Sequence, residues 1–236
     1  MSSDVGSWVG FWAQPHAIYV NDRHFDVHYR NIAERIIALL PRPDARVLDY
    51  GCGEAIHADR IAARAGRLLL CESSAIMRNK LAQRFADIQN IDVVEPAGLE
   101  QLPAASLDLI VANSVVQYLS VAELDRLLVL WHRVLAPDGL LVIGDVIPPN
   151  VGPLHDAAVL LRFAAEQGFL LAAMSGLVRT ALSPYRKLRS QLGIASYTDA
   201  DFSAKLRAAG FVAERLRPNL EHNQARMSFL ARPVPA

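Results

Sequence analysis

Val47-Leu48-Asp49-Tyr50-Gly51-Cys52-Gly53-Glu54-Ala55 places a glycine turn directly after a short apolar run that begins at Arg46. An Ala-rich segment, Ile56–Ala65, follows and is ended by Gly66, so the order reads strand, glycine turn, helix. Such a turn brings backbone N–H groups and the positive end of a helix up to a ligand. The dinucleotide fingerprint G-x-G-x-x-G requires glycine at position 56, and the chain has Ile56 there. A nicotinamide dinucleotide is therefore not expected in this turn.

Outward from the turn the same alternation continues. Arg67–Cys71 reads as the next strand, closed by Glu72 nineteen residues after Gly53, and Ser73-Ser74 starts a helix through Met77, Leu81 and Phe85. Ile91–Glu95, Leu107–Asn113 and Gly139–Asp145 are further strand candidates, the last introduced by the turn signal Pro137-Asp138-Gly139. Leu124, Leu127, Leu128, Trp131 and Leu135 mark an amphipathic helix between the last two. Upstream, Phe25, Tyr29, Ile32, Ile36 and Leu39 step by four and three along one helix face that ends at Pro41, with His24, His28, Asn31 and Arg35 beside it. After Asp145 the pattern breaks at Pro148-Pro149, and about forty mostly helical residues, Leu154 to Leu192, read as an inserted cap. A helix at Asp201–Ala209, a strand from Phe211 and a last strand at Met227–Ala231 complete the chain, the two strands being separated by a polar loop, Asn219–Arg226. Continuous apolar strands alternating with helices imply a parallel sheet covered on both faces.

Composition bounds the function. The chain has 236 residues, 52% of them hydrophobic, and 24 Lys+Arg balance 24 Asp+Glu. That is enough apolar material for a full core, and no surplus of positive charge points to a nucleic-acid partner. Met1–Tyr19 carries no Lys or Arg and does not read as a secretory signal, while the most apolar uncharged stretch, Gly168–Val178, is far too short to span a bilayer. Cys52 and Cys71 are the two cysteines, too few for a disulfide framework, and they read as small buried residues rather than a redox pair. A cytoplasmic location is expected.

Taken in order, these segments resemble the class I S-adenosylmethionine-dependent methyltransferases across roughly residues 25–150, with a compatible tail. The family's first motif, V-L-D-x-G-C-G-x-G, is Val47–Ala55, with Ala55 in place of the last glycine and one methyl group crowding the turn. The resemblance implies an α/β, Rossmann-like, doubly wound seven-stranded sheet with its last strand antiparallel. It implies a single domain over 1–236, with a lid helix within 1–40 and a helical cap insertion at 151–195. It also implies S-adenosyl-L-methionine as cofactor and S-adenosyl-L-homocysteine as product. Asp49, Gly51, Cys52 and Gly53 of the first motif would hold the cofactor, with Glu72 at the ribose hydroxyls and Ser73 a further cofactor-binding residue. Leu99 and Glu100 of Gly98-Leu99-Glu100 would lie beside the adenine, Asn113 at the end of the strand-four motif Ser106–Asn113 and Ser114 after it would also bind the cofactor, and Leu135–Asp145 is the strand-five motif. Apart from the family, Asp49 at a buried strand end either accepts hydrogen bonds from the turn or a ligand amine, or simply holds the loop.

The reaction implied is in-line displacement at a sulfonium methyl carbon, toward O, N or C of an acceptor. Positioning alone is worth roughly 7–11 kcal/mol in such a step. An oxygen acceptor also needs a base, which directs attention to histidine. Among His16, His24, His28, His57, His132, His155 and His222, the expected catalytic residues are His28 and His222, joined by Asp145 at the end of strand five. An antiparallel last strand returns the Asn219–Arg226 loop to the cofactor face, so Arg226 joins Tyr118 and Tyr29 as expected acceptor-binding residues; solvated loop, packing tyrosine and turn-capping Asp145 are the bland alternatives. His24 and His28 at i, i+4 lack a third ligand, so no metal is expected. The cap, with Leu160, Leu161, Phe163, Phe169, Leu171, Met174 and Leu177, reads in three ways: a wall for a hydrophobic small-molecule acceptor, a packing or homodimer face, or a peripheral membrane contact flanked by Arg179, Arg186, Lys187 and Arg189. The alternative to an enzyme is a regulatory relative that binds the cofactor without turnover.

Overall fold

The computed structural model describes residues 19–181 and 193–234. Seven strands form one sheet: β1 (Arg46–Tyr50), β2 (Arg67–Cys71), β3 (Ile91–Val94), β4 (Leu107–Asn113), β5 (Leu135–Val146), β6 (Phe211–Leu216) and β7 (Met227–Pro233). Their order is β3-β2-β1-β4-β5-β7-β6, the first five parallel and β7 antiparallel to both neighbours. Strand order reverses between β1 and β4, and in open α/β sheets the crevice at such a switch point is where ligands bind. The central strands are apolar throughout because both their faces are covered. Leu48 and Ile110 pack with Trp131, Phe202 and Phe229 in one cluster, while Val47, Leu68 and Val111 pack with Ile36, Ile61 and Leu81 in another.

The helices are α1 (Asp22–Ala38), α2 (Ala58–Ala62), α3 (Ala75–Arg84), α4 (Val121–Val134), α5 (Pro153–Gln167), α6 (Leu170–Ala181) and α7 (Asp199–Ala208). Their starts follow side-chain caps: Asn21 accepts from the His24 N–H, Ser74 from Met77, Thr198 from Asp201, and Ser120 with Glu123 forms a reciprocal capping box. Two of the boundaries that differ from the sequence reading have a backbone cause. The helix expected over Ile56–Ala65 covers five residues: the left-handed conformation at Ala55 delays its start to Ala58, and it is capped at Ala63. Strand β5 begins at Leu135 rather than Gly139: Leu107 pairs with Leu135 and Leu109 with Leu140, so the turn-like Pro137-Asp138-Gly139 is absorbed in a bulge.

The cap, α5 and α6, packs chiefly on the start of α1. Val20, Ala164, Phe169 and Ala173 form a separate small cluster, the Arg179 guanidinium donates to the Val20 carbonyl at 3.0 Å, and Arg23 donates to the Gln167 carbonyl. Arg186, Lys187 and Arg189 of the expected basic flank lie outside the described residues. Among the described residues, no helix is long and apolar enough to cross a membrane.

Candidate active site

A cavity of about 710 Å³ opens at the carboxyl ends of β1, β2 and β4. Its first half is built by the glycine turn. Gly51 and Gly53 have φ of 72° and 58°, and a Cβ on Gly53 would stand 2.7 Å from the Tyr29 hydroxyl oxygen, so glycine is required there by both conformation and space. Ala55 keeps the left-handed conformation, at φ 39°, without the glycine that would relax it. The Gly51 and Cys52 amides donate to the Cys71 carbonyl at 2.8 and 3.3 Å, tying the turn to β2. The next two are taken by side chains: Gly53 N–H donates to Glu72 Oε2 at 3.2 Å and Glu54 N–H to the Tyr29 hydroxyl at 3.0 Å.

Glu72 is buried, and its other oxygen accepts from the Ser74 N–H at 2.8 Å and the Ser73 hydroxyl at 3.2 Å, so its carboxylate is fixed at the cavity wall. Asp49 also lines the cavity but has no hydrogen-bond partner among the described residues. Burial, with the nearby Glu72 charge, pushes its carboxyl up to about 7. Cys52 and Cys71 are buried free thiols in the wall, both raised by burial, which makes them poor nucleophiles.

The second half is formed by Asn113 at the end of β4, by Ser114 and Tyr118 beyond it, by Tyr19 ahead of α1 and by His28 and Tyr29 on α1. Behind it stands a buried polar network. Ser114 and Asp145, at the ends of β4 and β5, both have positive φ, 55° and 63°, and the Ser114 hydroxyl donates to Asp145 Oδ2 at 2.8 Å. Arg226 donates to the same oxygen at 2.6 Å and to Asp156 of α5 at 2.9 Å. Burial raises the Asp145 carboxyl to about 6 even against Arg226. Asn113 Nδ2 donates to Glu221 Oε1 at 2.8 Å, and Glu221 Oε2 lies 3.4 Å from His28 Nδ1 and 3.7 Å from His222 Nδ1. Burial alone would lower His28, but Glu221 overrides it and leaves the imidazole above its ordinary value; the same ion pair holds Glu221 well below the usual carboxylate range although burial opposes it.

Of the residues expected at the site, Asp49, Gly51, Cys52, Gly53, Glu72, Ser73, Asn113, Ser114, Tyr118, Tyr29 and His28 line this one cavity. Asp145 and Arg226 stand behind its wall. His222 is also outside the lining, stacked on Phe163 at 4.7 Å between ring centroids. Leu99 is in the core, and Glu100 is exposed on the 3-10 helix Pro96–Gln101, whose Pro96 is the residue that reaches the cavity. No described residue of the cap lines the cavity, and Leu171 and Met174 are exposed, which removes them as a wall. The Asn219–Arg226 loop is largely buried rather than solvated, with Asn219, Leu220, Glu221 and Asn223 all inside. His24 is buried as well, stacked on Phe169 with Nδ1 accepting from the Val20 N–H, and burial, with His28 nearby, pulls it down to about 4. Tyr19, which lines the cavity, and Glu221, which stands behind it, were not among the expected site residues, and the partners of Glu221 at 28, 113 and 114 are far away along the chain. A lone acid inside a polar loop carries no local signal of such a role.

Comparison with known proteins agrees with this fold. A family model described as a methyltransferase domain matches residues 47–139. No curated protein sequence matches the chain. Among solved structures, phosphoethanolamine N-methyltransferase 1 of Haemonchus contortus, bound to phosphoethanolamine and S-adenosylhomocysteine, is similar with a TM-score of 0.66 and 19% identity, covering 100% of this chain and 50% of that one. The 1,6-didemethyltoxoflavin-N1-methyltransferase of Burkholderia thailandensis gives 0.56 and 18%, over 88% of this chain and 78% of its own. The YcgJ protein of Bacillus subtilis gives 0.57 and 16%, over 80% and 71%. At these identities the likeness is one of fold. The family match spans the glycine turn, Glu72 and β1 through β4, so residues 47–139 are similar to a methyltransferase domain, and the chain shares its fold with solved methyltransferases that bind S-adenosylhomocysteine.

Proposed function

We propose that the chain moves the methyl group of S-adenosylmethionine to a small-molecule acceptor, within a single domain over 1–236 that carries a lid at 1–40 and a helical insertion at 151–195. The observation that carries this reading is that one cavity joins the cofactor-type wall, Asp49, the glycine turn and Glu72, to a separate wall of Tyr118, Asn113 and His28. The residues suit the cofactor: Asp49 is a buried carboxylate with no partner among the described residues, facing space that a cationic amine or sulfonium would satisfy, and Glu72 presents oxygens for hydroxyl donors. When bound, S-adenosylmethionine supplies an electrophilic methyl carbon on sulfur.

Tyr118 and Tyr29 would orient the acceptor against that carbon, and Arg226 would act through Asp145 and Ser114 rather than by direct contact. For an oxygen acceptor, His28 would take the proton that the acceptor hydroxyl loses as it is methylated. A cavity of this volume fits small ligands rather than a macromolecule. The solved methyltransferases with phosphoethanolamine and 1,6-didemethyltoxoflavin in their sites support the same class of acceptor. A balanced net charge argues against nucleic acid, and the two buried thiols suit the cytoplasm. Exposed Leu154, Leu171, Met174 and Val178 support contact of the cap with a second copy or a membrane surface.

The test is incubation with methyl-labelled S-adenosylmethionine and pools of small molecules, reading label transfer by mass spectrometry. Turnover that falls in Tyr118→Ala is the expected result. Cofactor binding without transfer to any acceptor would replace the enzyme by a non-catalytic, cofactor-binding partner.

A further inference from the structure

Glu221 is a buried carboxylate whose contacts do not serve its own loop. The Asn219–Arg226 loop is held by other groups: Gln224 Oε1 accepts from the Asn219 N–H at 2.8 Å, Gln224 Nε2 donates to the Glu221 carbonyl at 2.7 Å, Asn219 Nδ2 donates to the Asn223 carbonyl at 2.9 Å, and Asn223 Oδ1 accepts from the Ala225 N–H at 3.1 Å. Apart from the adjacent His222, the Glu221 side chain reaches only distant residues. Oε2 takes His28 of α1 at 3.4 Å, and Oε1 takes Asn113 at 2.8 Å and Ser114 at 3.4 Å. All three of those residues line the cavity.

We propose that Glu221 is the positioning residue of the acceptor end: it holds the His28 imidazole by Nδ1 at the cavity wall and ties that ring to Asn113 and Ser114 at the end of β4. The inference rests on the methyl-transfer reading for what His28 does there. A carboxylate on Nδ1 fixes the tautomer and leaves Nε2, which has no partner among the described residues, as the ring nitrogen that meets the acceptor. The charged and titratable groups around the ring are Glu221 and His222 from the loop, Asp145 from β5 with Arg226 behind it, Tyr19 ahead of the lid helix, and His24 and Tyr29 on α1 itself. Among the described residues, only Glu221 forms an ion pair with the ring.

The experiment is a pH titration by NMR of the full chain carrying histidine labelled with ¹³C at Cε1, the His28 signal being assigned by His28→Gln. In the wild type His28 should titrate above an ordinary histidine. Glu221→Gln keeps an oxygen for Asn113 and Ser114 but removes the charge, so His28 should then titrate at least about tenfold more readily to the neutral form, below the ordinary value, because burial is unopposed. Glu221→Asp should restore part of the change. A purely structural Glu221 would alter the melting temperature and leave the His28 midpoint in place, and that result overturns the proposal. Should Glu221→Gln fail to fold, ¹⁵N shifts of wild-type His28 above its midpoint decide: a protonated Nδ1 supports the assignment and a protonated Nε2 refutes it. None of these readouts needs cofactor or acceptor, so they stand apart from failure of the methyl-transfer reading, which would appear as absent cofactor binding.

Discussion

Replacing Asp49 by Asn should make the folded chain more stable above neutral pH while destroying its affinity for the cofactor. Burial moves this carboxyl from 3.8 to about 7, and at ~1.4 kcal/mol per tenfold the ionised form is disfavoured in the folded chain by about 4 kcal/mol. The amide of Asn is itself a buried polar group without a partner, which returns roughly 1–2 kcal/mol of that gain. The net expectation is a stabilisation of about 2–3 kcal/mol. The sign follows from proton counting: between pH 4 and 7 the folded wild type keeps a proton that the unfolded chain has released, so its stability falls as pH rises through this window and levels off above it. Urea titrations of both proteins at pH 4.5, 6, 7 and 8.5 should show a difference near zero or slightly negative at the first pH that grows to the full value at the last. A difference independent of pH, or a variant less stable at pH 8.5, would refute the argument. The same carboxyl sets the affinity of the wild type for a cation, since only the ionised form attracts it. S-adenosylmethionine should bind about tenfold more tightly at pH 8 than at pH 6, following the ionised fraction of a group near 7.

Other perturbations test neighbouring parts of the account. Ala55→Gly should raise stability in urea by about 1 kcal/mol, because Ala55 is held at φ 39°, and a loss would mean that the turn is not strained. Arg226→Ala leaves Asp145 and Asp156 without their shared cation and should cost about 3–5 kcal/mol in urea at pH 8, less at pH 5 where Asp145 takes a proton; a pH-independent cost would separate Arg226 from Asp145. Leu171→Glu, at a residue 83% exposed, should leave the melting temperature unchanged and shift sedimentation toward the single chain or abolish vesicle binding. If neither sedimentation nor vesicle binding changes, contact through this part of the cap is excluded.

Much of the fold was legible because buried parallel strands announce themselves. Arg46–Tyr50, Arg67–Cys71 and Leu107–Asn113 carry the same bounds in sequence and structure, since each is an apolar run with both faces covered and a polar or glycine stop. The helix after the turn was overextended because its Ala-rich composition hides the positive φ of Ala55, a cost that no propensity scale records. In the cap, the apolar count alone could not tell the side facing Val20 from the exposed side carrying Leu171 and Met174. The Asn219–Arg226 loop shows the deepest gap. Eight polar-rich residues left a solvated hairpin open as a reading, yet Asn219, Leu220, Glu221 and Asn223 are buried because their groups bond one another and partners a hundred or more residues away, and pairing at that separation leaves no periodicity to read.

The central claim is that the cavity between the glycine turn and Glu72 holds S-adenosylmethionine, and calorimetric titration tests it most directly. S-adenosylmethionine and S-adenosylhomocysteine should bind the wild type with micromolar Kd while NAD does not bind. Glu72→Ala, which removes a charged hydrogen-bonding partner worth roughly 1.5–3 kcal/mol, should weaken both by about 10- to 150-fold. Absence of binding to the wild type, or equal affinity in the variant, would contradict the account.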